Sequence, residues 1–176
     1  GDGLVATIQE AIDVAPDGAI ILLQGTFTGP GNRDLQFGSK PITLKPYAEG
    51  ATVVIDCEGS PSEGHRGFLF ADYETSATRI EDLTVRNGYA ANNSWDGHGG
   101  GALVTPGADP VLHGVRFENC RADMEGGAVF VDFWIVTSSP RFEACEFVDC
   151  VSTNFQYGGA VNVALGEATF VGCRFE

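Results

Sequence analysis

Five cysteines, three histidines and 24 acidic side chains are what this chain offers for metal binding, cross-linking or proton transfer. Four of the cysteines close F-x-x-C tetrads: Phe117 to Cys120, Phe142 to Cys145, Phe147 to Cys150 and Phe170 to Cys173. Cys57 stands apart. Structural zinc asks for paired C-x-x-C elements or neighbouring histidines, and neither accompanies the tetrads, so no metal or other cofactor is expected. A second setting is Asp96-Gly97-His98-Gly99, at the head of a glycine run. Proton transfer at His98 would need an acid and a base on neighbouring segments. Calcium-assisted chemistry would need clustered carboxylates with a basic residue beside them. The strand-like run before it, Arg79-Ile80-Glu81-Asp82-Leu83-Thr84-Val85, brings only Glu81 and Asp82, and the other acids are scattered. No catalytic residue is assigned on this pattern.

What must position these residues is a repeat. Aligning Ile80–Val85 with Leu112–Phe117, Phe142–Phe147 and Phe170–Phe175 gives successive offsets of 32, 30 and 28 residues. The last three positions of each unit alternate apolar, polar, apolar, the period of a strand with one buried face. Three inner columns follow: Ile80, Leu112, Phe142 and Phe170; then Leu83, Val115, Cys145 and Cys173; then Val85, Phe117, Phe147 and Phe175. Between the last two columns lie Thr84, Arg116, Glu146 and Arg174, and one pleat later Arg86 falls beside Glu118. Parallel in-register stacking sets such neighbours about 4.8 Å apart, where pairs of opposite charge contribute about 0.2–1 kcal/mol. Gly-Gly-Ala triplets at 100–102, 126–128 and 158–160 each lead a short apolar run, and their alanines recur after 26 and 32 residues. Short strands in register, joined by loops of variable length, describe an all-β fold, a parallel β-helix solenoid.

The rest of the chain fits one such domain over residues 1–176. Ile20–Leu23, Thr26–Thr28, Ile42–Leu44 and Val53–Ile55 are β-rich runs divided by Gly, Pro and Asp clusters. Thr7 and Glu10 suit a helix start, and Ile8, Ala11, Ile12 and Ala15 follow helical spacing before Pro16-Asp17-Gly18. This predicts an amphipathic helix over about 7–18, lidding coils that occupy 19–176. At the other end no such lid is evident, which predicts an excerpt of a longer solenoid or an edge covered by another chain. The net charge of −14 disfavours nucleic acid and anionic membranes as partners. No transmembrane run is present, so no direct membrane insertion is expected.

Two resemblances rest on these residues. The helix, then Ala19–Thr28, then Val54-Ile55-Asp56-Cys57-Glu58-Gly59, resembles the opening of right-handed parallel β-helix proteins of the pectin-lyase-like superfamily, over most of the chain. The pairing of Gly-Gly-Ala-(Leu/Val) with Phe-x-x-(Asn/Cys) resembles repeats of polymorphic outer-membrane (Pmp-type) surface proteins, over about residues 80–176. Cys120, Cys145, Cys150 and Cys173 stand where that repeat commonly carries Asn. The Asp96–Gly99 element is similar to the Gly-His-Gly of polygalacturonases, which hydrolyse with inversion between carboxylates about 6.5–9.5 Å apart. The acidic motifs expected on the preceding coils and a downstream Arg-Ile-Lys are both missing here.

In this register Cys145 stacks on Cys173 and Cys120 on Cys150. Two disulfides and a ladder of reduced thiols both remain open, because parallel side chains hold Cβ atoms near the strand spacing, above the favoured range of about 3.5–4.5 Å. Contact surfaces are expected at Phe133, Trp134 and Ile135, in a loop longer and more apolar than its counterparts. Others are expected along loops holding Tyr89, Trp95, Met124, Phe155 and Tyr157. Asn92-Asn93-Ser94 is a glycosylation sequon. The function expected is a non-enzymatic structural or adhesive module, extracellular or at the cell surface, as part of a fibre or larger assembly. Its partners would be proteins or copies of itself, met through the C-terminal edge and apolar loops, or a glycan. The competing expectation is a carbohydrate-active enzyme or polysaccharide-binding module of the pectin-lyase-like class.

Overall fold

The computed structural model describes residues 5–91, 95–132, 137–153, 158–164 and 166–176. The sites predicted at Asn92, Phe133, Trp134, Ile135, Phe155 and Tyr157, and the side chain of Trp95, lie outside the described residues. The chain winds as an all-parallel β-solenoid of about five turns. Sheet A stacks six strands, Ile20–Leu23, Thr43–Pro46, Arg79–Glu81, Val111–His113, Arg141–Glu143 and Thr169–Val171. Sheet B stacks Gly25–Phe27, Val53–Asp56, Thr84–Arg86, Arg116–Glu118, Glu146–Val148 and Arg174–Phe175. Sheet C holds Phe68–Phe70, Ala102–Val104, Val129–Val131 and Val161–Val163, and the short sheet D holds Tyr89–Ala90, Arg121–Ala122 and Val151–Ser152.

The walls meet at residues that tolerate left-handed backbone. Asp82, Gly114, Ala144 and Gly172 turn the chain from sheet A to sheet B, with φ of 53°, 61°, 50° and 64°. Asn87, Asn119 and Asp149 turn it out of sheet B, with φ of 54°, 51° and 53°. Asn and Asp accept this region more readily than most side chains, which explains their recurrence at the second corner. There they also bond up the stack. Asn119 Nδ2 donates to Asn87 Oδ1 at 2.8 Å, and Asn87 Nδ2 to Asp56 Oδ1 at 3.0 Å.

Pairing fixes the inner columns. Leu112 lies between Ile80 and Phe142, and Phe142 in turn meets Phe170; Val85, Phe117, Phe147 and Phe175 form the facing column. Strand stacking brings the rings into contact. Phe117 stacks on Phe147 at 5.4 Å, Phe147 on Phe175 at 4.7 Å and Phe142 on Phe170 at 4.9 Å, with interplanar angles of 5°, 11° and 7°. Such pairs add about 0.5–1.5 kcal/mol beyond the apolar area they bury. Outside, Arg116 Nη1 reaches Glu146 at 2.6 Å and Arg86 Nε reaches Asp56 at 2.8 Å, each one coil away.

The Gly-Gly-Ala register differs from the expectation by one residue in its first step. Ala102 pairs with Val129, not with Ala128, so Gly99-Gly100-Gly101 stacks on Gly126-Gly127-Ala128, and those on Gly158-Gly159-Ala160. The left-handed position identifies the true column, since Gly99, Gly126 and Gly158 share φ of 66°, 65° and 57°. The next glycine answers a different need. A Cβ on Gly100 would lie 2.0 Å from Arg121 O, and one on Gly127 would lie 2.4 Å from both Gly159 O and Val151 N. The strands of sheet D thus run directly against the glycine backbone, pinching the coil where no side chain fits.

The helix is shorter than predicted, running Ile8–Val14, because Ala15 precedes Pro16 and takes extended backbone with ψ of 138°. The Thr7 side chain accepts from Glu10 N, while Ile8 and Ile12 enter the core. Lys40 Nζ donates to the carbonyls of Ile12, Asp13 and Ala15, closing the helix's C-terminal end.

The glycine pinch has a direct test. Gly127→Ala should lower unfolding free energy by at least about 2 kcal/mol. Gly159→Ala, where nothing lies within 4 Å of the added Cβ, should be near neutral. Equal denaturation midpoints for the two variants would contradict the packing described.

Candidate functional site

A cluster of ionisable groups lies beside the early coils, where a full turn of chain brings Asp34 to His65 and Arg66. Asp34 has φ of 55° and is tied by its backbone N–H to Arg66 O at 2.6 Å. Its Oδ1 accepts from Arg66 N at 2.8 Å and its Oδ2 from His65 Nδ1 at 2.7 Å. Arg66 Nη2 then reaches across to the carbonyls of Asp96, at 2.7 Å, and His98, at 3.3 Å. Burial disfavours the Arg66 cation, while Asp34 and Asp96 favour it. A groove of about 650 Å³ runs along one side, lined in part by Asp13, Arg33, Asp34, Lys40, His65 and Asp72.

The chemistry open to this cluster follows from what its groups already hold. His65, fixed through Nδ1, keeps its other ring nitrogen for proton exchange, which is half of a general-base arrangement. Both oxygens of Asp34 are occupied, Asp13 Oδ1 accepts from Gln9, and Lys40 is spent on the helix carbonyls. Among the described residues no group of three or more His, Cys, Asp or Glu is placed to hold a metal ion. The cluster therefore joins three successive coils and spends its polar groups in doing so. Sequence reading missed it, although the 31-residue separation of Asp34 and His65 is one repeat length.

The His98 carbonyl belongs to this cluster, but its ring points to the outer wall of sheet C. Its ring packs on Phe130 with centroids 4.2 Å apart, and burial pulls its pKa below the ordinary histidine value despite Glu125 and Asp132. Leu103 and Phe130, though they face outward from that sheet, are only 2% and 4% exposed. Tyr89 is half-buried, and its hydroxyl donates to Asp123 Oδ1 at 2.9 Å.

All five cysteines are unbridged. Four thiols donate to a carbonyl of the preceding coil: Cys120 to Val85, Cys145 to Leu112, Cys150 to Phe117 and Cys173 to Phe142, at 3.8, 3.4, 3.5 and 3.4 Å. Burial pushes Cys145 up to about 12 and raises Cys57 further. Cys120 is raised by its thiol contact with Cys150 and by burial. Cys150 is shifted the other way, lowered by the same thiol contact with Cys120. A thiol held protonated is a poor nucleophile and a poor metal ligand, so Cys57, Cys120 and Cys145 read as packing.

One buried acid stands outside these sets. Glu74 is fully buried at the turn from sheet C to sheet A. Its Oε2 accepts from Asp72 N at 3.1 Å, but Oε1 has no hydrogen-bond partner among the described residues. Burial raises its pKa, and the charge of Asp72 adds to the rise.

Comparison with models of known protein families, with curated proteins and with solved structures returned no match.

Two expectations follow. Thiol reagent should label at most the half-buried Cys150 and Cys173 in the native protein and all five cysteines in denaturant; rapid native labelling of Cys120 or Cys145 would refute the sealed ladder. For Glu74 the folded-state pKa lies above the unfolded one, so stability is greatest below the ordinary carboxylate range and falls as pH rises through the folded value. Glu74→Gln, which keeps the group neutral, should raise Tm at pH 8 and lose that advantage at pH 4. A Tm difference independent of pH would show that Glu74 is not the titrating group.

Proposed function

We propose that the protein is a non-enzymatic structural module, a right-handed parallel β-helix of pectin-lyase-like type that builds length and presents loops outside the cell or at its surface. The observation carrying this reading is how the outer walls use their charge. Arg79 pairs with Glu81, Arg86 with Asp56, Arg116 with Glu118 and Glu146, Arg141 and His113 with Glu143, and Arg174 with Glu176. Three of these pairs, Arg86–Asp56, Arg116–Glu146 and His113–Glu143, join successive coils, and the others lie within a strand or at its end. Hydrolysis between two acids requires carboxylates free to meet substrate in one groove, whereas in the groove beside Asp34 and His65 the carboxylates of Asp13 and Asp34 are bonded to Gln9, His65 and Arg66. Three of the unbridged cysteines, Cys57, Cys120 and Cys145, are buried with raised pKa values, and such thiols oxidise slowly in an oxidising exterior.

In this reading the helix Ile8–Val14 lids the first coil, with Ile8 and Ile12 set on the core. The strands Thr169–Val171 and Arg174–Phe175, where the inner-column Phe175 is 53% exposed, offer an edge on which further coils or a second copy would stack. A second reading, contact with a glycan, is favoured by Tyr47, an aromatic side chain 68% exposed above a polar concavity.

The structural reading predicts no release of reducing ends or unsaturated products from neutral or uronate polysaccharides. Turnover that disappears in His65→Ala or His98→Ala, with the fold intact by circular dichroism, would overturn it.

A further inference from the structure

We propose that the concave corner beside Tyr47 is a carbohydrate-binding site for a neutral sugar ring. This rests on the glycan-contact reading above and narrows it to one site and one chemical class. Tyr47 follows the strand Thr43–Pro46 and is held there by its own N–H, which donates to Leu23 O at 2.8 Å. Its backbone is thus anchored while its ring stays in solvent. Beside it opens a concavity of about 670 Å³ lined by Lys45, Glu49, Glu81 and Asp82.

The polar groups there are set in place before any ligand arrives. Glu81 is fixed by Arg79 Nε at 2.8 Å. Asp82 has left-handed backbone with φ of 53°, donates its N–H to His113 O at 2.8 Å, and lays its carboxylate over Gly114. A Cβ on Gly114 would lie 2.2 Å from Asp82 Oδ1, so the glycine is what admits this placement. Eight of the ten Lys and Arg side chains hold a carboxylate or backbone carbonyl within hydrogen-bond reach. Among the described residues Lys45 and Arg121 have no such partner, and Lys45 stands at this concavity.

An aromatic face flanked by fixed acceptors and one free ammonium donor matches a pyranose. The ring takes the C–H face, and the hydroxyls donate to the carboxylates and accept from Lys45. The same groups select against charge. Three carboxylates at the site and a net charge of −14 repel uronate chains, and a purely apolar segment would strand the carboxylates unsolvated.

The test titrates the intact chain with cello-, manno-, xylo- and galacto-hexaoses, with polygalacturonate and chitosan hexamer as charged counterparts. At least one neutral hexaose should bind, with little change when salt is raised to about 0.5 M. Tyr47→Ala should weaken that binding about tenfold or more, a loss typical of a buried aromatic anchor. Tyr47→Phe and Tyr47→Trp should retain it, as should Tyr73→Ala, which removes another exposed tyrosine away from the concavity. Unchanged affinity in Tyr47→Ala would overturn the site while leaving the glycan reading standing. Absence of binding by any of the neutral hexaoses would overturn the site, and absence of binding by the charged oligomers as well would overturn both. Tighter binding of polygalacturonate or chitosan would overturn the neutral-sugar assignment.

Discussion

Everything in this solenoid depends on how closely the chain returns to itself at the glycine pinch. At Gly100 and Gly127 the backbone of sheet D would lie 2.0 and 2.4 Å from an added Cβ, far inside van der Waals contact, so the two strands meet main chain to main chain. That contact fixes the width of the coil at one corner. With the width fixed, the inward side chains must fill the remaining cross-section at native packing density, turn after turn. Phenylalanine does this along two columns, and its flat rings stack at the strand spacing because the strands themselves are in register. Buried Phe contributes about 1.5–3 kcal/mol each through removal from water, but only if successive coils are congruent. The pinch makes them so.

The thiols follow from the same constraint. Near the corners the space left inside a coil is small, and Cys145 and Cys173 occupy positions taken by Leu83 and Val115 in earlier turns. Sulfur fills the gap and lies against the carbonyl of the coil below. Burial raises the pKa of Cys145, and the spacing of the thiols is a consequence of the strand ladder. Neither needs a redox or metal role.

The inner columns were legible in the sequence because they obey a period of two within strands and a near-constant offset between them. Ile80, Leu112, Phe142 and Phe170 could be aligned by eye, and pairing places them side by side. The glycine register was not legible at its first step, where Gly99-Gly100-Gly101-Ala102 admits two alignments that only the left-handed φ separates. The helix end was overrun because helical spacing continues to Ala15, whereas the steric effect of Pro16 acts on the residue before it. Asp34, His65 and Arg66 carried no periodic signal. They are loop residues in the less regular first half, and only the closure of a turn makes them neighbours.

The polar cluster and the Tyr47 corner differ in one physical respect that decides how each is read. At Asp34 the donors and acceptors are matched to one another, so a ligand would have to displace existing bonds and recover less than their full strength. At Tyr47 an aromatic face and an ammonium are left to water, while Glu81 and Asp82 are already held in position by Arg79 and Gly114. Binding there spends little on ordering the protein, because the ordering was done in folding. A repetitive scaffold reaches this state readily. Its coils hold the wall rigid, and a single corner that departs from the repeat can carry chemistry without disturbing the stack.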